Sequence, residues 1–424
     1  MSEGLLGEQR YLKKAGLVAL IAVLNMTAPL STDMYLPSFP TMMEYFNVEA
    51  SVLNLTLVGF FFFFAVGMLL FGPYSDRFGR KPVLIAGLSV YMAACLLCAS
   101  STSIWQLILF RIVQALGAGC MVSVSTALVK DCFSGRLRST VLATIQSMSV
   151  VAPMLAPVVG AMIVKYATWR TTFLVLSGIS LLSLTAALFL QETLPQEARF
   201  RGNVLSSMGR LVVVGRNRSF ISFLGIVGLI PAGFMAYIAV SSYIYIDYFG
   251  LSESAYSLFF ATNAAVSMLG PLTYIRINGR MAPRSLVTTS LSLALGGGLA
   301  VLLAGRLAPV AFLLSFMPFT FSSSLMRPVA TDTLLNQQET DTGSAAALIN
   351  FGNTVMGSLG MVLGTLPWPT YVTGLGTIAA GASLLALVGW FLLLRSDIPL
   401  KGVKPEARPA GVSVAPEVEA SGAR

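Results

Sequence analysis

The chain has no histidine and few charged residues: 11% of its 424 residues are Asp, Glu, Lys or Arg, against about 25% in soluble domains. Without histidine, the usual zinc ligand and proton shuttle are missing, so any proton chemistry must use carboxylates. The sequence also lacks the G-x-x-x-x-G-K-[ST], G-x-S-x-G and H-E-x-x-H patterns of ATP-binding, nucleophilic and zinc-dependent enzymes. We therefore predict that the protein is not an enzyme and holds no metal or organic cofactor.

Cysteine is also scarce, with four residues in the whole chain. Cys95 and Cys98 form a C-x-x-C pair, but the pair lies inside an apolar run and no second pair accompanies it. We predict that all four cysteines are reduced, small packing residues.

What the chain has is apolar sequence: 55% of its residues are hydrophobic and its mean hydropathy is +0.79. Crossing about 30 Å of hydrocarbon takes about 20 apolar residues in a helix, whose backbone satisfies its own hydrogen bonds. The first run follows Lys13-Lys14 and is too long for a cleaved signal, so we expect it to be retained. The sequence predicts an all-α membrane protein with twelve transmembrane helices, at 14–37, 51–71, 82–101, 104–129, 139–165, 170–190, 219–243, 254–275, 284–304, 308–330, 344–366 and 372–394.

The basic residues predict the orientation of these helices. Of the 27 Lys and Arg residues, 22 fall in segments on the side of the N-terminus and three fall in segments on the other side. Because cytoplasmic loops carry the excess of Lys and Arg, both termini should be cytoplasmic, in a bacterial inner membrane. The net charge of +9 is spread over short loops and forms no continuous face, so we expect no nucleic-acid partner.

The chain divides into two similar halves. Gly72-Pro73 precedes the basic loop after helix 2, and Gly270-Pro271 precedes a similar loop after helix 8. We predict a six-helix bundle over 1–190, a cytoplasmic linker loop over 191–218, a second six-helix bundle over 219–394 and a disordered cytoplasmic tail over 395–424. Two repeats of six helices are a transporter architecture, with the substrate site between them.

The stretch G-P-Y-S-D-R-F-G-R-K-P at 72–82 resembles the signature loop of the major facilitator superfamily. The resemblance implies the fold of that family, with two pseudo-symmetric six-helix bundles. It also implies that Asp76 latches the cytoplasmic side shut by meeting the N-terminus of helix 11, near 342–344, where a carboxylate is stabilised by the helix dipole. The residues of this predicted latch are Gly72, Asp76, Arg77, Gly79 and Arg80.

Three further motifs narrow the resemblance. Arg111-x-x-Gln114-x-x-Gly117-Ala118-Gly119 resembles the conserved-arginine motif of helix 4. The stretch 152–160 resembles the antiporter motif of helix 5, with Pro153, Pro157 and Gly160 in place and alanine at two of its glycines. Ser31-Thr32-Asp33-Met34-Tyr35-Leu36-Pro37 resembles the T-D-M-Y-L-P segment of the Bcr/CflA branch, which exports bicyclomycin and chloramphenicol; W-R-x-x-F at 169–173 and E-T-L at 192–194 also fit that branch.

Two charges lie deep in the apolar runs, Asp33 in helix 1 and Arg111 in helix 4. An ionisable residue inside the membrane indicates a functional site. Both should lie at similar depth in the external half, where they would interact directly or through water. We predict that Asp33 carries the exchangeable proton and that substrate competes with this proton for the cavity. The alternative is that Asp33 only caps the end of helix 1 in interfacial water.

The cavity itself is less well marked. The resemblance implies that related multidrug members carry a second acid eight residues before the aspartate, where this chain has Asn25, which favours neutral or anionic substrates. Arg327 near the inner end of helix 10 is open to two interpretations: contact with an anionic substrate, or pairing with Asp332 or snorkelling, which we favour. The predicted cavity residues are Asn25, Gln114, Met148, Tyr237, Asn263 and Asn350.

The sequence therefore predicts a monomeric exporter of a drug or small metabolite, driven by the proton gradient, with protons, a small-molecule substrate and the lipid bilayer as its partners. An importer or metabolite exchanger of the same fold is the first alternative. A membrane enzyme or a receptor is the second, and the short loops leave no room for a catalytic domain.

Overall fold

The computed structural model describes residues 11–199, 204–277, 280–338 and 342–403. In these residues twelve long helices, α1 to α12, follow one another in the predicted order. Their bounds are Lys13–Asp33, Ala50–Phe78, Arg80–Ser100, Ile104–Cys132, Gly135–Tyr166, Trp169–Leu188, Arg218–Tyr248, Glu253–Ile277, Pro283–Ala304, Pro309–Leu335, Thr342–Gly364 and Tyr371–Arg395. Within the described ranges, eleven of them are long and apolar enough to cross a membrane, and α5 supplies a shorter apolar helix, Leu155–Tyr166.

Two helices are interrupted, each at the start of a half. After α1 the chain makes a 3-10 turn at Leu36–Ser38 and a short helix at Phe39–Phe46. In α7 the segment Arg218–Val227 ends before Pro231, which stands in the first turn of the next segment, Ile230–Ser242. Proline lacks the backbone N–H that would continue the ladder, so it starts a new helical segment at this point.

The loops after α2 and α8 are shorter in the structure than the sequence predicts. The segment after Gly72-Pro73 is helical as far as Phe78, and the segment after Gly270-Pro271 is helical as far as Ile277. Hydropathy locates the membrane boundary, but a helix can continue into water beyond it. Only Gly79 breaks the chain between α2 and α3, with a φ of 101° that favours glycine.

The linker 191–218 is also not a simple loop, because Val204–Gly215 forms a helix. This linker helix packs against α2 of the first half and α11 of the second. Beyond α12, Leu400 is buried and the Lys401 backbone N–H donates to Gln337 Oε1 over 3.0 Å, so the predicted tail begins with a packed segment. Residues 404–424, the rest of that tail, lie outside the described residues.

The two halves repeat one packing pattern. In the first half α2 packs on α4, and α3 packs on both α4 and α6; in the second half α8 packs on α10, and α9 packs on both α10 and α12. The halves meet through α2 against α11 and through α5 against α8, contacts that a two-fold rotation would exchange. This is the predicted fold, two pseudo-symmetric six-helix bundles.

Alternate helices run in opposite directions, which defines two sides of the molecule. We call the side where α2, α4 and α6 end the linker side, because the chain leaves α6 there to form the linker. The opposite side, where α1, α3 and α5 end, is the far side.

Candidate functional site

Arg111 lies in the core of the first half with its side chain fully enclosed, at 0% exposure. Its guanidinium lies over the rings of Phe60 and Tyr35, with its central carbon 4.2 and 4.7 Å from the ring centroids. Its Nη1 donates to the backbone carbonyl of Ser31 over 2.9 Å and to Gln114 Oε1 over 2.6 Å. The charge is therefore held by aromatic faces and by a carbonyl of α1.

Asp33 is the last residue of α1, with 3% of its surface exposed. Thr32 Oγ1 donates to its Oδ1 over 2.9 Å. Among the residues that the structure describes, no Lys or Arg lies within ion-pair distance of this carboxylate. The phenol of Tyr256, on α8 of the second half, lies close enough to interact with Asp33 electrostatically. Asp33 is thus a buried carboxylate without a counter-ion, near the boundary between the halves.

Arg111 of α4 contacts the end of α1 that carries Asp33, but the two side chains form no ion pair. Arg111 bonds the carbonyl of Ser31, two residues before Asp33. The side chains of Tyr35, Phe60 and Phe173 surround the guanidinium, with Phe173 at 5.9 Å. These rings were not among the predicted site residues, although the S-T-D-M-Y-L-P motif at 31–37 contains Tyr35 and the W-R-x-x-F motif at 169–173 contains Phe173.

The antiporter-like motif of α5 lies directly against the end of α1. A Cβ added to Gly160 would overlap the backbone carbonyl of Met34, the residue after Asp33. Only glycine leaves room for this approach. Three residues earlier, the carbonyl of Pro157 accepts a hydrogen bond of 2.9 Å from Ser257 Oγ of α8. This part of α5 therefore contacts the Asp33 segment on one face and the second half of the protein on another.

A second hydrogen bond joins the halves on the far side. Asn54 near the start of α2 donates from Nδ2 to the hydroxyl of Tyr243 in α7 over 3.3 Å, and both side chains are buried. Phe39 packs on the Tyr243 ring with centroids 6.0 Å apart. Together with the Ser257 bond, these contacts close the far side in the conformation described.

On the linker side, the predicted latch residues form a local cluster. Arg80 makes ion pairs with Asp76 Oδ1 at 2.7 Å and with Asp131 Oδ2 of α4 at 2.8 Å. Its Nη1 also donates to Ser75 Oγ over 2.6 Å. Arg77 is exposed beside Phe78, with 5.4 Å between its guanidinium carbon and the ring centroid.

Glu192 is part of this cluster and was not a predicted latch residue. Its carboxylate accepts from the backbone N–H groups of Arg80 at 2.9 Å and Lys81 at 3.2 Å, the first residues of α3. It also lies beside Gly79, where a Cβ would overlap Glu192 Oε2. A carboxylate at a helix N-terminus satisfies unpaired donors and interacts well with the helix dipole. The E-T-L motif at 192–194 contained the signal for this contact.

The predicted contact between Asp76 and the start of α11 is absent from the residues that the structure describes. Asp76 pairs with Arg80 of its own half, and 52% of its side chain remains exposed. The described side chains of α11 begin at Ser344.

Four of the predicted cavity residues pack within one half. Asn25 Nδ2 donates to Ser125 Oγ of α4 over 2.9 Å, and Gln114 bonds both Arg111 and Cys95. In the second half, Asn263 Oδ1 accepts from Thr320 over 2.8 Å. The Tyr237 ring stacks on Phe316 at 4.7 Å and is buried with its hydroxyl unpaired.

The other two, Met148 and Asn350, are both exposed, Met148 on the outward face of its helix and Asn350 on the inward face. Met148 lies seven residues before Leu155, an exposed apolar residue, and so shares its outward face of α5. Asn350 lies nine residues before the exposed Leu359 of α11, which at about 100° per residue places it on the opposite face. It lies seven residues before Gly357, which packs against Met235 of α7, so Asn350 is exposed on the inward face.

Comparison with known proteins agrees with this architecture. Residues 21–364 match the sequence profile of the Major Facilitator Superfamily, which covers most of the chain. The protein belongs to the major facilitator superfamily. It is a multi-pass membrane protein and a transporter of this superfamily rather than an enzyme.

Three curated relatives of this superfamily member extend over most of both chains. It is 31% identical over 353 residues to the Uncharacterized MFS-type transporter YdgK of Bacillus subtilis, which covers 82% of this chain and 88% of the relative. It is 25% identical over 387 residues to the Bicyclomycin resistance protein homolog of Haemophilus influenzae, at 89% and 96% coverage. It is 28% identical over 376 residues to the Multidrug resistance protein MdtL of Salmonella heidelberg, at 88% and 93% coverage.

Solved structures share the fold at low sequence identity. A bacterial homologue of the human lysosomal transporter Spinster, in an inward-facing and unoccupied conformation, superposes with a TM-score of 0.73 at 14% identity, covering 92% of this chain and 98% of that one. The xylose transporter XylE of E. coli, in a partially occluded inward-open conformation, gives 0.71 at 13% identity, with 92% and 98% coverage.

Proposed function

We propose that this protein exports a drug or small metabolite across the bacterial inner membrane in exchange for protons, with Asp33 as the proton-carrying residue. The observation that carries the proposal is the Asp33 carboxylate, which is buried near the boundary between the two halves and has no counter-ion among the described residues. A carboxylate buried in this way carries a large desolvation penalty, and a bound proton removes the charge.

The surroundings of Asp33 couple its charge to the packing of the halves. Met34, the next residue, touches Gly160 of α5, and Pro157 of the same helix accepts the hydrogen bond from Ser257 of α8. A change of charge at Asp33 therefore acts on the α5–α8 contact that holds the far side closed. Proton entry from the far side and release to the linker side would alternate with substrate movement in the opposite direction.

Arg111 has a supporting role in this mechanism. It fixes the Ser31 carbonyl and thereby the end of α1, two residues from Asp33. Its contacts with Phe60 and Tyr35 prevent the guanidinium from neutralising the carboxylate in this conformation.

The direction of transport and the cargo class rest on two further arguments. The distribution of Lys and Arg favours the linker side as the cytoplasmic side. The Haemophilus influenzae and Salmonella heidelberg relatives carry names that refer to bicyclomycin and multidrug resistance, which supports drug export by this chain.

The test is a drug-susceptibility panel that includes bicyclomycin and chloramphenicol, in an efflux-deficient bacterium expressing wild type, Asp33→Asn or Asp247→Asn. Asp247 is the matched control, because it is an exposed acid at the far-side end of α7. We expect wild type and Asp247→Asn to confer resistance and Asp33→Asn to lose it at equal membrane abundance. Unimpaired proton-driven efflux by Asp33→Asn would refute the coupling role.

The first alternative, an importer or metabolite exchanger, predicts substrate movement in the opposite direction across the membrane. An exporter accumulates substrate in energised inverted vesicles, whereas an importer accumulates it in right-side-out vesicles. A substrate identified in the susceptibility panel, measured in both preparations, decides between them.

A further inference from the structure

Arg327 is a second arginine well inside the membrane helices, and its environment differs from that of Arg111. It lies in α10, eight residues before the helix ends at Leu335, which places it about 12 Å inside the linker-side end. Its side chain is exposed, whereas Arg111 is completely enclosed. A charge at this depth meets water or protein rather than hydrocarbon, because contact with lipid is too costly.

The face of α10 that carries Arg327 is the inward face. Arg327 follows Phe316 by eleven residues and Thr320 by seven, so the three lie within about 20° of one line along the helix. Phe316 stacks on Tyr237 of α7, and Thr320 bonds Asn263 of α8. The exposed Leu314 lies about 140° away on the outward face. Toward the far side, this face of α10 is packed inside the second half. At Arg327, nearer the linker side, the same face is exposed.

Asn350 of α11 has the same combination of an inward face and exposure on the linker-side part of its helix. Two helices of the second half therefore present polar side chains from inward faces to solvent.

Arg327 has no acidic partner among the residues that the structure describes. Asp332, its expected partner, instead lies beside Tyr274 of α8. The acids at the linker-side ends of α2 and α4, Asp76 and Asp131, are both occupied by Arg80. The pairing that the sequence favoured is therefore absent, and the guanidinium is available to a ligand.

We propose that Arg327 is an anion-binding residue of the substrate site, and that the cargo carries a carboxylate, phosphate or comparable anionic group. A guanidinium presents a planar set of donors that matches such groups with two parallel hydrogen bonds. The amide of Asn25 donates to Ser125 within the first half, so this position supplies no acid that would attract a cationic cargo. The proposal deepens the proposed function, because it names the substrate class of the same transporter.

The first experiment tests whether Arg327 faces water. Arg327→Cys and Leu314→Cys are placed in phosphatidylcholine nanodiscs and treated with a membrane-impermeant maleimide; the four native cysteines are buried and give a low background. We expect labelling of Arg327→Cys and none of Leu314→Cys on the outward face. Failure to label Arg327→Cys would overturn the proposal.

The second experiment tests the ligand charge without a proton gradient. Binding of 6-carboxyfluorescein and of the cationic dye rhodamine 6G, which share a ring system, is measured by fluorescence polarisation in the same nanodiscs. We expect carboxyfluorescein to bind wild type and to bind Arg327→Gln about 10- to 100-fold more weakly, with Arg327→Lys between them. Rhodamine binding should be unchanged or stronger in Arg327→Gln.

Three outcomes would contradict the proposal. Wild type shows no saturable carboxyfluorescein binding, or Arg327→Gln binds carboxyfluorescein as tightly as wild type does, or Arg327→Gln loses rhodamine 6G binding along with carboxyfluorescein binding. An anionic lipid headgroup is the other source of the same chemistry. If wild type retains more phosphatidylglycerol than Arg327→Gln in mixed-lipid nanodiscs while carboxyfluorescein fails to bind in phosphatidylcholine, lipid is the ligand and the substrate proposal fails. Because binding needs no proton gradient, anion binding can persist when Asp33→Asn shows the antiport proposal to be wrong, and the reverse also holds.

Discussion

The two halves share one packing scheme but place different chemistry at corresponding positions. Arg111 lies seven residues after the first residue of α4, and Phe316 lies seven residues after the first residue of α10. Each packs on an aromatic ring associated with the first helix of its half: Arg111 on Tyr35 and Phe316 on Tyr237. The first half thus has a buried cation where the second half has an aromatic core.

The same contrast appears on the linker side. In the first half Arg80 joins Asp76 and Asp131, and Glu192 holds the start of α3. The corresponding segment of the second half has lost the aspartate, and in its described part no ion pair replaces it. The two halves therefore share their helix packing but not their charged clusters. We infer that the first half couples protons and the second half contacts cargo.

The largest expected effect comes from the contact between α5 and the Asp33 segment. Gly160→Ala forces a methyl group into the Met34 carbonyl, so the helices must separate. Overpacking of this kind costs about 1–3 kcal/mol, and here it also displaces the residue beside Asp33. We expect substrate transport to be lost and the detergent melting temperature to fall.

Gly178→Ala is the matched control, because a Cβ at Gly178 in α6 meets nothing within 4 Å. It should keep both transport and melting temperature. Equal behaviour of the two variants would show that the α1–α5 contact is not needed.

The buried cation of the first half is the next target. Arg111→Lys keeps the charge but loses the planar face that stacks on Phe60 and the geometry of the Ser31 bond. Loss of a charged hydrogen bond in the core costs about 1.5–3 kcal/mol, which should appear in the melting temperature and in transport.

Arg170→Lys is the comparison at a partly exposed site, where the guanidinium donates to the Tyr45 hydroxyl and to the Ser101 carbonyl, both over 2.9 Å. Arg170 also lies over an aromatic ring, Trp169 at 4.2 Å, but it is only partly buried. Because these contacts are partly exposed to solvent, its replacement should cost less than that of Arg111, about 1 kcal/mol. A larger loss for Arg170→Lys than for Arg111→Lys would contradict the assignment of the core role to Arg111.

The contacts between the halves predict a smaller, conformational effect. Tyr243→Phe removes only the hydroxyl that Asn54 donates to on the far side. A single hydrogen bond contributes about 1 kcal/mol, so the equilibrium should shift about fivefold toward opening of the far side. Distances between spin labels on the far-side ends of α2 and α11 would measure it. Thr320→Val, which removes a bond within the second half, should leave these distances unchanged.

The smallest effects are expected in the cluster around Arg80. Asp131 is more enclosed than Asp76, with 16% against 52% of the side chain exposed. Exposed ion pairs contribute about 0–1 kcal/mol, so Asp76→Asn should change thermal stability less than Asp131→Asn. If Asp76→Asn nevertheless impairs transport, then its role lies in another conformation, as the latch prediction requires. The reverse order of stabilities would refute the local assignment.

The fold could be predicted because its signal is local. Twelve apolar runs gave the helix order, and their predicted bounds differ from the observed ones mainly where helices such as α2 and α8 extend beyond the apolar region. The site was predictable only in part. Asp33 and Arg111 stood out as charges in apolar sequence, but the rings around Arg111 and the role of Glu192 depend on residues distant in the chain.

The sequence by itself determined the number and order of the helices and where each one crosses the hydrocarbon, because a backbone in hydrocarbon must satisfy its own hydrogen bonds. Tertiary structure decided how each helix is rotated about its axis. That rotation turns Arg111 toward a carbonyl and aromatic faces, turns Met148 outward and leaves Arg327 without an acid among the described residues. It depends on the close fit of neighbouring helices, as at Gly160 against Met34, and no local pattern in one helix specifies its neighbour.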